Sequence, residues 1–116
     1  MALKRIGAGN RMSRAIIHND VVYLAGFTPD KALGKSVGEQ TTDILEQIDA
    51  VLKEAGTDKT NILKANIWLT DMQRFNEMNV VWDKWVVPGQ TPTRATVEAK
   101  LAAPGIDVEI MVEAAI

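Results

Sequence analysis

Five apolar residues, Ile44, Ile48, Val51, Leu52 and Ala55, fall on one face of a 3.6-residue period, and they constrain the fold more than any other feature of the chain. A helix with one apolar stripe must lie on another apolar layer to be stable in water. Its limits are written beside it. Ser36 with Glu39 three residues on forms a capping box, in which each side chain satisfies backbone groups that a helix start leaves open, and Gly56 supplies a C-terminal stop. The second layer comes from stretches with a two-residue period, the mark of strands with one buried face. Leu63, Ala65, Ile67 and Leu69 alternate with Lys64, Asn66, Trp68 and Thr70. Thr93, Ala95, Val97 and Ala99 alternate with Arg94, Thr96, Glu98 and Lys100, and Val108, Ile110, Val112, Ala114 and Ile116 with Asp107, Glu109, Met111 and Glu113.

Two more strands come first in the chain, Arg14 to His18 and Val21 to Phe27, joined by the turn-forming pair Asn19-Asp20. Pro29, Gly34 and Lys35 punctuate a loop before the helix. Asp71 caps a second helix in which Phe75, Met78, Trp82 and Trp85 recur at helical spacing, ending before Pro88-Gly89, with the aromatics facing the core. The order strand, strand, helix, strand, helix, strand, strand predicts an α+β fold: a mostly antiparallel or mixed sheet with two helices on one face. At 116 residues the chain holds one core, so residues 1–116 are expected to form a single domain. The apolar strand faces meet the helices. The opposite face then bears Arg94, Thr96, Glu98, Glu109, Met111 and Glu113, a mixture that suits a subunit interface holding a site. A domain this small also gains from association that covers further apolar area.

Charge and residue usage exclude several functions. The net charge is −2 and no Lys/Arg block occurs, so the electrostatic footprint of a nucleic-acid binder is missing. The chain has no cysteine, which removes disulfides, thiolate nucleophiles and sulfur metal sites together. The single histidine, His18, cannot make a two-histidine zinc site; beside a turn it reads as a surface residue rather than an acid-base group, and no metal is expected. The segment Gly7-Ala8-Gly9 lacks the strand-to-helix context of a phosphate loop. MALKRIGAGN lacks an apolar run of signal-peptide length, and no stretch approaches the roughly 20 apolar residues that span a bilayer. A cytoplasmic protein is expected.

What remains is Arg94 with Glu109, both on the polar faces of the last two strands. The planar fork of an arginine matches a carboxylate in two parallel hydrogen bonds, so an arginine on a rigid strand is a good anchor for a small acid. A glutamate nearby can order or polarise water. On residue pattern alone such a pair is more often a plain cross-strand ion pair than a site, and pattern by itself leaves function open. Asn79 either orients a loop or touches ligand, and Met12 with Phe27 can wall an apolar pocket.

The stretch TPTRATVEAKLAAPGIDVEI, residues 91–110, resembles the C-terminal signature of the Rid family (reactive intermediate deaminase, RidA/YjgF). VVYLAGF, the helix TTDILEQIDAVLKEAG and the stretch ILKANIWLTDMQRFNEMNVVWDKW extend the likeness, in order and spacing, over nearly the whole chain. HNDVVYLAG and the tryptophan-rich second helix resemble the YoaB-like branch more than the best-known deaminase members. The resemblance implies a chorismate-mutase-like fold, a homotrimer and ligand sites in clefts between subunits. It implies hydrolysis of enamines and imines such as 2-aminoacrylate, released by pyridoxal-phosphate enzymes, to 2-oxo acids and ammonia, a damage-control role needing no cofactor. The activity implied is that of a 2-iminobutanoate/2-iminopropanoate deaminase. The alternative is a non-catalytic trimer of the same fold that binds small carboxylates.

Carried across by residue, the family's carboxylate-gripping arginine falls on Arg94 and its water-associated glutamate on Glu109. The family cysteine two positions past the arginine is Thr96, the tyrosine near the N-terminus is Met12, and the serine before the strand glycine is Ala25, followed by Gly26. Arg11 and Ser13 flank Met12 and offer replacement polar contacts.

Overall fold

The computed structural model describes residues 2–116. In chain order the elements are β1 (Lys4–Ile6), β2 (Ala15–His18), β3 (Val21–Leu24), α1 (Val37–Glu54), β4 (Ile62–Leu69), α2 (Phe75–Trp85), β5 (Thr93–Glu98) and β6 (Val108–Ala115). Short 3-10 turns, Lys59–Asn61 and Met72–Arg74, lead into β4 and α2 respectively from the preceding loops. The six strands form one sheet in the order β1-β2-β3-β6-β4-β5. Every pairing is antiparallel except β4 with β5, so the sheet is mixed, and both helices lie on one face, as the element order predicts.

The first helix begins and ends where its residues dictate. Ser36 is extended, its hydroxyl oxygen accepts from the Glu39 N–H at 3.2 Å, and its O–H donates to the Glu39 carboxylate at 3.0 Å. At the other end Gly56 takes φ 88°, which lets its own N–H reach Lys53 O and that of Thr57 reach Leu52 O. Between these caps Ile44, Leu45, Ile48 and Leu52 are fully buried against Val22, Ile67, Leu69, Ile110 and Val112 of the sheet. Burial of each such side chain contributes about 1.5–3 kcal/mol.

Two buried polar side chains of α1 fix the loops around it. Gln40 donates to the carbonyls of Lys35 and Gly105 at 3.0 and 2.9 Å and accepts from the Asp107 N–H at 2.9 Å. It thereby sets the start of β6, two residues before Glu109. Asp43 accepts from the N–H groups of Asp30 and Ala32 at 2.7 and 2.9 Å, which anchors the loop leading to α1.

Four expectations need correction. A β-bulge between Ile62 and Lys64 shifts the register, so Ile62 rather than Leu63 joins Ala65, Ile67 and Leu69 in the core, and Leu63 is 49% exposed. Asp71 caps the 3-10 turn, accepting from the Gln73 N–H, and α2 starts after it without a side-chain cap; of its aromatics Trp82 is buried, while Phe75 and Trp85 are half-buried. The short strand β1 precedes those anticipated, and Phe27 joins the sheet only through a single bridge to Ile110.

The fourth correction matters most for function. β5 pairs with β4, in the register Ala65 to Arg94 and Ile67 to Thr96, and not with β6. Ala65 and Ile67 face the helices, so Arg94, Thr96 and Glu98 face that way too, while Thr93, Ala95 and Val97 lie on the open face with Asn66, Trp68, Glu109 and Met111. The strand is at the sheet edge beside α2, where Arg94 bonds Asn79 and Glu98 accepts from the Met72 N–H.

Candidate functional site

Arg94 and Glu109 therefore lie on opposite faces of the sheet within one chain, each in a built environment. On the helix side, Nη1 of Arg94 donates to Oδ1 of Asn79 at 2.8 Å. The guanidinium carbon lies 5.6 Å from the ring centroid of Phe75 and 5.4 Å from that of Trp82. Phe75, Asn79 and Trp82 are spaced at one helical face of α2 and together clasp the arginine. Such cation–π contacts contribute about 0.5–1 kcal/mol each at partly exposed positions. Among the described residues no carboxylate lies within salt-bridge distance of Arg94. The hydroxyl of Thr96, on the same side of the strand, is buried without a hydrogen-bond partner.

On the open face, Glu109 sits across from Trp68 at the start of β6. Burial raises its carboxyl above the ordinary glutamate value, and no cation counters that effect. Gly26 is its close neighbour: a Cβ there would collide with Oε2 of Glu109 and come within 3.1 Å of the carboxyl carbon. Glycine at this position is what lets the carboxylate lie against the backbone. Ala25, half-buried, precedes it, and its N–H donates to the carbonyl of Arg14 at 2.9 Å. Met12 projects from the loop between β1 and β2 and is 54% exposed. The loop is closed by bonds from Gly9 N–H to Met12 O and from Arg14 N–H to Ile6 O, each 2.9 Å.

The candidate residues thus form two groups, Arg94 with Thr96 on the helix side, and Ala25, Gly26 and Glu109 near the loop of Met12 on the open side. A cleft of about 170 Å³ between β4 and β5 borders Arg94 and is lined also by Lys64, Asn66 and Ala95. A larger hollow of about 340 Å³ at the start of α1, lined by Lys35, Arg74, Glu77 and Asp107, lies apart from both groups. Its acids are engaged inside the chain, Glu77 with the Gly38 N–H and Asp107 with Thr70. Sequence reasoning assigned Trp82 to core packing and left Asn79 open; the spacing of positions 75, 79 and 82 was the available sign that all three meet one partner. Among the described residues no group of His, Asp or Glu side chains could hold a metal ion, and no helix is long and apolar enough to cross a membrane.

Comparison with known proteins agrees with this architecture. The family described as Endoribonuclease L-PSP matches residues 2–116. The RutC family protein YoaB of Escherichia coli is 45% identical over 116 residues, the full length of both chains. A RutC family protein of Haemophilus influenzae is 43% identical over 112 residues, 97% of each chain. A crystal structure of a YjgF-family protein from Neisseria meningitidis superposes with a TM-score of 0.95 at 44% identity, covering 99% of this chain and 95% of that one. The signature strands, the two-helix layer and these relatives lead to one conclusion: the chain belongs to the Rid/YjgF family, on its YoaB-like branch.

Proposed function

We propose that this chain forms a homotrimer in the cytoplasm and hydrolyses small 2-imino acids and their enamine tautomers, such as 2-aminoacrylate, to 2-oxo acids and ammonia at clefts between subunits. The observation that carries this reading is the state of Arg94: a guanidinium clasped by two rings and an amide, with no carboxylate of its own. A folded chain that holds an arginine so firmly and leaves its charge unmatched is prepared for an external acid. Because Glu109 lies on the other face, one ligand touches both only where two copies meet. The open face, with Tyr23, Val97, Met111 and Trp68 around Glu109, is the surface through which copies would associate.

In this mechanism Arg94 of one subunit fixes the substrate carboxylate, and Glu109 of its neighbour orients water toward the imine carbon. The water oxygen bonds to that carbon as the C=N π pair moves onto nitrogen, and the glutamate takes one proton from the water and passes it to that nitrogen. The adduct's hydroxyl proton then moves to nitrogen through the same carboxylate, the C–N bond breaks, ammonia leaves and the carbonyl forms. A carboxyl raised by burial suits this exchange, since it holds a proton more readily than an ordinary carboxylate and can still return it. Orientation supplies most of the effect, because free imines already hydrolyse in water. Thr96, Ala25 and Gly26 would line the cleft with Met12, and no cofactor takes part.

A second reading is a trimer that binds small carboxylates with little catalysis, favoured by Met12 and Ala25 standing where family members carry tyrosine and serine. One experiment separates them. Imino acids generated in situ by a pyridoxal-phosphate dehydratase or an amino-acid oxidase are incubated with wild type, Arg94→Ala and Glu109→Ala, and oxo-acid release is followed. Faster release with wild type that both substitutions abolish supports the deaminase; carboxylate binding without acceleration supports the binder. RNA is disfavoured by the net charge of −2, and salt-dependent RNA binding would revive it.

A further inference from the structure

Glu109 has a fixed neighbour on each side across the sheet. On one side the backbone of Gly26 lies so close that a Cβ there would come within 3.1 Å of the carboxyl carbon. Phe27, the next residue, exchanges backbone bonds of 2.8 and 3.0 Å with Ile110, which holds Gly26 in that place. On the other side Trp68 of β4 stands directly opposite Glu109 in the antiparallel ladder. Residues opposed in this way have Cβ atoms about 4.5–5.5 Å apart and side chains on the same face, so indole and carboxylate are adjacent on the open face.

Trp68 and Glu109 are both half-buried, although neither faces the helices. Gly26 contributes backbone only. Along the chain the neighbours of Glu109 at the same strand phase are Asp107, whose carboxylate is bonded to Thr70 and Gln40, and Met111. The largest apolar surface beside the carboxylate is therefore the indole. The nearest charged pair on this face, Lys64 with Glu113, lies two rows further along the ladder, and Tyr23 pairs with that same Glu113. Val97 of β5, beyond Trp68, is apolar. Burial is accordingly the one cause that moves the Glu109 carboxyl, and it moves it upward.

We propose that Trp68 is a positioning residue of the reaction: its indole and the Gly26 backbone are the two walls of a slot that aims the Glu109 carboxylate at the attacking water and keeps bulk water from its flank. The inference rests on the reading of Glu109 as the base. An apolar wall offers the carboxylate no competing donor, so its oxygens stay available to the one water that reacts, and a less solvated carboxylate is the stronger base. Packing between copies would equally use an apolar ring at position 68, but it would not set the proton affinity of Glu109.

The test compares wild type with Trp68→Phe and Trp68→Thr in two measurements. In the first, the Glu109 carboxyl is titrated by carbon-13 NMR in glutamate-labelled protein, its resonance identified as the one missing from Glu109→Gln. The midpoint should fall toward the ordinary glutamate value in Trp68→Thr, with Trp68→Phe, which keeps a smaller ring, in between. In the second, oxo-acid release from 2-iminobutanoate above the uncatalysed rate is followed against pH. Trp68→Thr should lower kcat/KM at neutral pH about three- to tenfold, the effect of a weaker and less well aimed base, while its acidic limb moves to lower pH in step with the titration. Faulty assembly alone would slow the reaction without moving that limb. Where Trp68→Thr does not sediment with the wild-type mass, Trp68→Phe carries both measurements. A midpoint or an acidic limb that neither substitution moves overturns the inference and leaves the deaminase reading intact. A wild type that accelerates no imine sinks that reading instead, and the slot is then judged by the NMR midpoint alone.

Discussion

The two faces of the sheet are finished to different degrees. On the helix-covered face Ile67, Leu69, Val108, Ile110, Val112 and Ala114 are at most 1% exposed, and the buried polar side chains beneath α1, Gln40, Thr41 and Asp43, all have hydrogen-bond partners. On the open face Tyr23 is 42% and Val97 50% exposed, Glu109 is partly desolvated without a cation, and the Nδ1 atom of His18 is buried with no partner. Over the interior strands a single chain satisfies the first face and leaves the second incomplete, and at the edge strand β5 the helix side too keeps an unmatched Arg94 and a partnerless Thr96 hydroxyl. The difference places structural stability beneath the helices, and association and chemistry on the open face and along the β5 edge.

The sharpest way to break that comparison is to injure each face once. Ile110→Ala should lower the unfolding free energy by about 3 kcal/mol, the transfer and cavity cost of a buried isoleucine, read by urea denaturation at one fixed protein concentration. Val97→Asp on the open face should leave the fold, by circular dichroism, but reduce the mass in sedimentation from three times 12.7 kDa toward that of one chain. An unchanged mass would mean that the open face is not where copies meet.

Next in size is the loss of Asp43, which tests whether the covered side owes its order to satisfied polar groups as well as to apolar packing. Asp43→Ala strands the N–H groups of Asp30 and Ala32 and should cost about 2 kcal/mol. Burial alone would raise this carboxyl, but the bonds from Ala32, Asp30 and Gln47 outweigh it and hold the group below its ordinary value of 3.8. A depressed value in the folded state means that the contribution is complete above 3.8 and lost as pH falls below it. Wild type should therefore lose stability on acidification through that range more steeply than Asp43→Ala; parallel curves would contradict the assignment.

The covered face was largely legible in the amino-acid pattern, and the open face was not, for a physical reason. Ile44, Ile48 and Leu52 answer to helical period, Ser36 and Gly56 to local backbone chemistry, and the odd-even pattern from Val108 to Ala114 to a strand with one dry side, all of them short-range signals. The facing of β5 depends instead on which strand it joins. Arg94 and Glu109 looked like neighbours because their strands are consecutive in the chain, yet β4 lies between them in the sheet. The bulge that turns Leu63 outward, the clasp of Phe75, Asn79 and Trp82 around Arg94, and the fit of Glu109 against Gly26 likewise depend on tertiary contacts. Identifying Arg94 and Glu109 as site residues required likeness to a family; their residue pattern also fitted an ion pair, which the topology excludes within one chain.

A smaller effect on stability, joined to a larger one on activity, is expected at Gly26. An added Cβ meets the far end of a flexible side chain, so Gly26→Ala should cost under about 1 kcal/mol as Glu109 swings aside. Displacing the carboxylate should nevertheless lower kcat/KM about a hundredfold, the usual worth of a positioned acid-base group. Full activity in Gly26→Ala would show that the place of Glu109 against the backbone is immaterial to turnover. Asn79→Ala on the helix side should act through Arg94, raising KM about tenfold with a smaller change in kcat.

The least effect on folding belongs to Glu109→Gln, and its sign is the most informative. Burial raises this carboxyl in the folded chain, so its contribution to stability is greatest while it is protonated in both states and is lost as pH rises through the raised folded value. At neutral pH the charged glutamate is therefore a slight burden, and the amide should stabilise the chain by a few tenths of a kcal/mol, discounted for the solvent that still reaches the group. The advantage should vanish in acid, where the two side chains are both neutral. Activity should fall at every pH, because an amide cannot accept the proton of the attacking water. A substitution that steadies the chain while stopping its chemistry marks a residue kept for function, whereas destabilisation by Glu109→Gln at neutral pH would assign the glutamate to the structural side of the comparison.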